Sequence, residues 1–243
     1  NSVIAVAAVL GREFEATHLR LLIEDTTEDE LLNALEEALA ARVIEELPQA
    51  VGSYRFTHAL IRKTLTDEIS TTRRVRLHAR IGETLESLYG GEVEAHAAQL
   101  AYHFGEAETV IGPAKLLRYS QAAGIRALNG YASEEAAAQF QRALAAKEGQ
   151  PMDSESAAIL LGLGQAEAMM LKIDEAVSHL RQAFDFYVEA GDATRAVTAA
   201  GVPMTGRAFG IMATLIEQAL HLIPADSMEA GRLLSVYGRY LGM

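Results

Sequence analysis

Residues 124–143, GIRALNGYASEEAAAQFQRA, return forty positions later as residues 164–183, GQAEAMMLKIDEAVSHLRQA. Gly124, Ala136, Phe140 and Ala143 in the first copy answer to Gly164, Ala176, Leu180 and Ala183 in the second. A weaker third copy sets Ala200, Met212, Ile216 and Ala219 in the same order and is closed by Pro224. Gly238 stands where the leading glycine of a further copy falls. Each position has a packing reason. Small residues on one helix let a second helix come close, and the large residue locks the pair. The pattern predicts helix pairs stacked one on the next rather than an irregular bundle.

Composition agrees with that architecture. The chain has 243 residues, half of them apolar, only 6% aromatic, and no tryptophan. A mean hydropathy of +0.09 excludes disorder as a class. A net charge of -12 opposes phosphate backbones and anionic lipid surfaces, so neither nucleic acid nor a membrane is expected as the partner. The absence of cysteine removes disulfides, thiolate metal sites and thiol catalysis, and suits a cytoplasmic location. Val3 to Leu10 is apolar but too short to span a bilayer, and no basic residue precedes it, so it reads as a buried first helix. A start at Asn1 predicts a piece of a longer protein.

The first ninety or so residues do not repeat. Helical patterns cover Val3–Leu10 and Ala16–Ile23. A third helix opens at Thr27-Glu28-Asp29-Glu30, where a threonine three residues before a glutamate satisfies free amides. Leu31, Leu32, Leu35, Ala38 and Leu39 follow as one apolar stripe. Val43–Leu47 and Tyr54–Phe56, separated by Pro48–Ser53, then read as a hairpin, the one β signal found. Two more helices, about 59–69 and 72–89, lead to Gly90-Gly91, a predicted boundary. The expected fold class is therefore mostly all-α, with a domain over 1–90 and helical repeats over 91–243. Three helices and then a hairpin is the order of a winged helix. Its third helix normally enters the major groove, but here it carries Glu28, Asp29, Glu30, Glu36 and Glu37. Protein contact is expected instead.

Motifs that carry chemistry are mostly absent from the sequence. No GxxxxGK[ST], GxSxG or HExxH occurs. Gly162-Leu163-Gly164 begins a GxG, but Glu167 holds the third glycine position and Gly164 already serves the repeat. His96 and His103, seven apart, read as packing or surface histidines rather than metal ligands, and no catalytic residue, metal or enzyme activity is assigned to this chain. Acidic runs such as Glu24-Asp25 read as solvated helix starts. Arg73, Arg74, Arg76 and Arg80 cluster on one later helix and suit either acids of a neighbouring domain or a solvated face.

Several ordered motifs carry a resemblance. They are Ala7-Ala8-Val9-Leu10-Gly11-Arg12-Glu13-Phe14, Tyr54-Arg55-Phe56-Thr57-His58-Ala59-Leu60-Ile61-Arg62, Arg73-Arg74-Val75-Arg76-Leu77-His78 and Leu100-Ala101-Tyr102-His103-Phe104. Over about the first 150 residues the chain resembles the region after the nucleotide-binding domain of bacterial STAND-class signalling ATPases, among them large LuxR-type transcriptional regulators and proteins linked to adenylate cyclase modules. The remainder resembles tetratricopeptide repeats, whose unit is about 34 residues, forming an α-α superhelix.

The resemblance implies a mechanism. A P-loop domain elsewhere in the parent protein binds ATP or ADP, the winged helix packs on it as a lid, and the repeats sense a protein or small-molecule inducer. In related proteins a histidine of the winged-helix domain contacts the ADP phosphates, and His58 is the candidate here. An imidazole N–H can donate to a phosphate oxygen; a helix-capping role is the other reading of His58. Two further function classes remain: a repeat scaffold for protein partners without nucleotide coupling, and a helical enzyme whose site carries no motif.

Overall fold

The computed structural model describes residues 2–23, 26–48, 50–205 and 208–241. Asn1 and the Glu24-Asp25 run lie outside the described residues. The chain is mostly helical with one small sheet, and it divides into two compact units, Asn1–Leu116 and Leu117–Met243.

In the first unit the apolar opening segment forms α1 (Ser2–Leu10). It is followed by β1 (Glu13–Glu15), α2 (Ala16–Leu22) and α3 (Glu28–Ala40). The predicted box is present: the Thr27 hydroxyl accepts from the Glu30 amide at 3.3 Å, and Glu30 accepts from the Thr27 amide at 2.8 Å. Leu31, Leu35 and Ala38 are buried as the stripe requires, whereas Leu32 is exposed. The hairpin strands are β2 (Ile44–Glu46) and β3 (Ser53–Phe56).

The sheet has three strands, not two, in the order β1-β3-β2. β1 is too short for its alternation to be seen in sequence; only pairing with β3 defines it. The register places Phe14 opposite Tyr54 and Ile44 opposite Phe56, and all four are buried. On the other face Arg55 reaches Glu45 at 2.6 Å and Glu13 at 3.8 Å. Period two therefore sets Phe14, Ile44, Tyr54 and Phe56 on one face, with the exposed Glu46 beside Tyr54, and the Glu13, Glu45 and Arg55 ion pairs on the other.

Two helices follow, α4 (Ala59–Asp67) and α5 (Thr71–Tyr89). Gly90-Gly91 opens a 3-10 turn (Gly90–His96) that leads into α6 (Ala97–Glu106) and the short α7 (Glu108–Ile111). The predicted boundary thus falls inside the first unit. The reason is local packing: a Cβ on Gly82 of α5 would lie 2.6 Å from the Phe104 ring of α6, so the glycine admits the ring and binds the two helices together.

The second unit holds most of α8 (Ala114–Asn129), then α9 (Ser133–Ala145), α10 (Ser154–Met169) and α11 (Ile173–Glu189). It ends with α12 (Ala193–Ala200), α13 (Phe209–Leu220) and α14 (Met228–Leu241). Every residue used to align the three copies is buried. A Cβ on Gly124 would lie 2.8 Å from the tip of Phe140, and one on Gly164 would lie 2.7 Å from Cγ of Leu180. Gly162 meets the same Phe140 ring from α10. The ring is therefore held between the glycines of two helices.

The repeat extends to the turns. Tyr131 and Leu171, forty apart, both have positive φ, 58° and 59°. The amides of Ala132 and Lys172 then return to the carbonyls of Ala127 and Glu167, each at 2.9 Å. Left-handed backbone costs an L-residue roughly 1–2 kcal/mol, partly offset by the greater flexibility of glycine in the unfolded chain. The Leu171 side chain is largely exposed, so little packing is at stake. Leu171→Gly should stabilise the chain by up to about 1 kcal/mol in a denaturant melt; a loss of stability would show that the side chain has a packing role.

Candidate functional site

The second unit carries a cavity of about 740 Å³. Its walls come from alternate helices: Leu128 of α8, Ala168 and Met169 of α10, Val197 of α12, and Leu233 and Val236 of α14. The intervening helices α9, α11 and α13 do not line it. Stacking of helix pairs puts one member of each pair on this face and the other behind it.

Most of the lining is apolar. Polar groups share the lining: Gln165 of α10, Thr194 and Thr198 one turn apart on α12, and Glu229 and Arg232 on α14. Neither Glu229 nor Arg232 forms an ion pair among the described residues. Both charges therefore remain available to a ligand.

The segment after α12 adds Gly201, Val202 and Pro203 to the lining. Gly201 approaches the Leu233 side chain closely, and the Met204 amide donates to the Tyr240 hydroxyl at 3.0 Å. Phe209 stacks on Tyr240 with ring centroids 4.8 Å apart. An apolar pocket of this volume with a few convergent polar groups has the anatomy of a ligand site.

His58, the candidate for a phosphate contact, is exposed at the N-cap of α4, two residues after the end of β3. Its side chain makes no capping hydrogen bond. Arg73 and Arg76 of α5 are exposed and form no ion pair among the described residues; Arg74 and Arg80 are half-buried. The GxG is a packing device, with Gly162 facing Phe140 and Gly164 facing Leu180.

His96 and His103 do not share a helix face. His96 lies in the 3-10 turn and stacks on Tyr89 at 3.7 Å between ring centroids. His103 is buried on α6 and meets His78 of α5, the two Nδ1 atoms 3.0 Å apart. No group of three or more His, Cys, Asp or Glu among the described residues is arranged to hold a metal ion. No described helix is long and apolar enough to cross a membrane.

Sequence reasoning missed both the groove and the histidine pair. The groove has no motif, because its residues come from four helices. His78 stands 25 residues before His103, and only the α5–α6 packing joins them. No family model matches the chain, and neither a curated protein nor a solved structure matches it at a significant level.

The histidine pair has a consequence for stability. An Nδ1–Nδ1 hydrogen bond needs one ring as donor and the other as acceptor, so at most one of the rings can be cationic. Burial, with the nearby Arg74 charge, pushes His78 down to about 4. Burial and then His78 push His103 down as well, opposed in part by the Leu10 carbonyl. As pH falls below the ordinary histidine value of about 6.5, the unfolded chain takes up protons that the folded chain refuses. Stability should be complete above that value and fall towards pH 4 by about 1 kcal/mol per pH unit for each ring. Urea midpoints at pH 7 and pH 5 check the trend. An NMR titration that finds both rings ionising near 6.5 would contradict it.

Proposed function

We propose that this chain is the switch-and-sensor region of a STAND-class signalling ATPase. In this reading a winged-helix-like lid is followed by tetratricopeptide-type repeats that take an inducer or protein partner. The observation that carries it is the groove lined by α8, α10, α12 and α14. A receptor surface made from one helix of each pair is what such repeats offer to a ligand.

The first unit supports the same reading. Its order of three helices and then a hairpin suits a winged helix, and the exposed acids of α3 suit protein contact better than phosphate. The exposed ring of His58 leaves it available to the ADP of a P-loop domain in the parent protein. The exposed arginines of α5 suit acids on that domain. On this reading nucleotide turnover belongs to the parent, this fragment is not itself an enzyme, its place is the cytoplasm, and the output is transcription regulation or a related signal. The groove alone, without nucleotide coupling, favours a second reading as a repeat scaffold for protein partners.

Two substitutions in the full-length parent separate these readings. His58→Ala should raise basal output several-fold by loosening the ADP-held state; unchanged ADP affinity together with unchanged basal output removes that role. Val197→Glu places a charge in the groove lining and should abolish the response to inducer while ADP binding stays intact. A full response from that variant would rule out the groove as the sensor.

A further inference from the structure

The first helix of each pair buries the same two positions. In α8 these are Ser120 and Gly124, in α10 Leu160 and Gly164, and in α12 Ala196 and Ala200, and all six are buried. The cover comes from the helix that follows. Phe140 of α9 lies over Gly124 and Leu180 of α11 over Gly164, while Met212 and Ile216 of α13 share one core with Ala196 and Ala200. In α14 the same two positions are Leu234 and Gly238. Leu234 is 51% exposed, and Gly238 is exposed with nothing among the described residues within 4 Å of the place a Cβ would occupy.

This face of α14 is uncharged along its length. Met228, Gly231, Leu234, Ser235 and Gly238 recur at three- and four-residue spacing and so line one side of the helix. All five are exposed. The charges nearest to it in sequence, Glu229 and Arg232, belong to the groove side with Leu233 and Val236. Glycine is a poor helix former, and no neighbour among the described residues accounts for Gly231 or Gly238.

The pairs α8–α9 and α10–α11 show what such a face accepts: an antiparallel helix that sets a large apolar residue on the glycine. α14 carries both halves of that contact. Leu234 is the large residue, and Gly238, one turn further on, is its seat. A two-fold axis brings residue i onto residue j and j onto i. Two antiparallel copies of α14 therefore place each Leu234 on the other's Gly238, and this self-complementarity selects a second copy among possible covers.

We propose that the outer face of α14 is an interface between two copies of this chain, packed antiparallel with Leu234 of each on Gly238 of the other. Only one helix face is buried on each side, which places the pairing among transient interfaces. Each chain carries a net charge of -12, so the copies repel one another and added salt favours association. The interface is separate from the groove and does not depend on the regulatory reading.

Sedimentation velocity of the intact chain tests this. The average mass should rise from one chain towards two with concentration, and rise further when salt is added at fixed concentration. Leu234→Glu and Gly238→Phe should each raise the dissociation constant about tenfold or more. Both positions are open to solvent, so both variants should keep the wild-type circular dichroism. Disulfide trapping reads the register, because the chain has no cysteine of its own. A mixture of Leu234→Cys and Gly238→Cys chains should give a crossed dimer faster than either variant alone. A wild-type chain that stays monomeric at every concentration and salt overturns the proposal and leaves the face to another partner. Association that survives Leu234→Glu, or trapping of Leu234→Cys chains with one another in preference to the crossed pair, overturns it as well.

Discussion

The second unit depends on how closely α8 and α10 can approach the Phe140 ring. The ring projects from α9 and is almost completely buried, with Gly124 on one side and Gly162 on the other. Any side chain at either glycine would occupy space the ring already fills. Glycine is a poor helix former, by about 1 kcal/mol against alanine. Two of them inside helices are explained by the packing they permit, since interiors are as dense as organic crystals.

The same device recurs with different partners. Gly164 faces Leu180 in the next pair, and Gly82 faces Phe104 in the first unit. Close stacking of α8, α9, α10 and α11 brings alternate helices to a common face, and the groove follows from that stacking. Binding groups on such a surface come from different helices, so the spacing between helices sets their geometry. The Glu167–His179 pair shows a second use of the same frame: a fixed contact between α10 and α11 in which a carboxylate and an imidazole stand where the previous copy has alanine and glutamine.

Much of this order was legible in the chain. Glycine, alanine and a large apolar residue recurring at fixed spacing announced the helix pairs, and Thr27 with Glu30 announced the start of α3. What escaped depends on neighbours distant in sequence. Glu13–Glu15 is a strand only because β3 lies beside it. Tyr131 and Leu171 take left-handed backbone without glycine, because the turn is imposed by the helices on either side. Gly90-Gly91 suggested a domain boundary, yet Phe104 packs back onto Gly82 and keeps α6 in the first unit. His96 and His103 share a spacing but not a helix, and each takes a different aromatic or imidazole partner.

Comparing two glycine-to-alanine variants is the most direct measurement of the central claim. Gly231 lies in α14 with nothing within 4 Å of the place a Cβ would occupy, whereas at Gly162 that place is filled by the Phe140 ring. Urea denaturation should therefore give opposite signs. Gly231→Ala should gain up to about 1 kcal/mol from helix propensity, and Gly162→Ala should lose at least about 1 kcal/mol from overpacking, part of which returns when Phe140→Leu is added. A Gly162→Ala variant as stable as the wild type or more so would contradict the account.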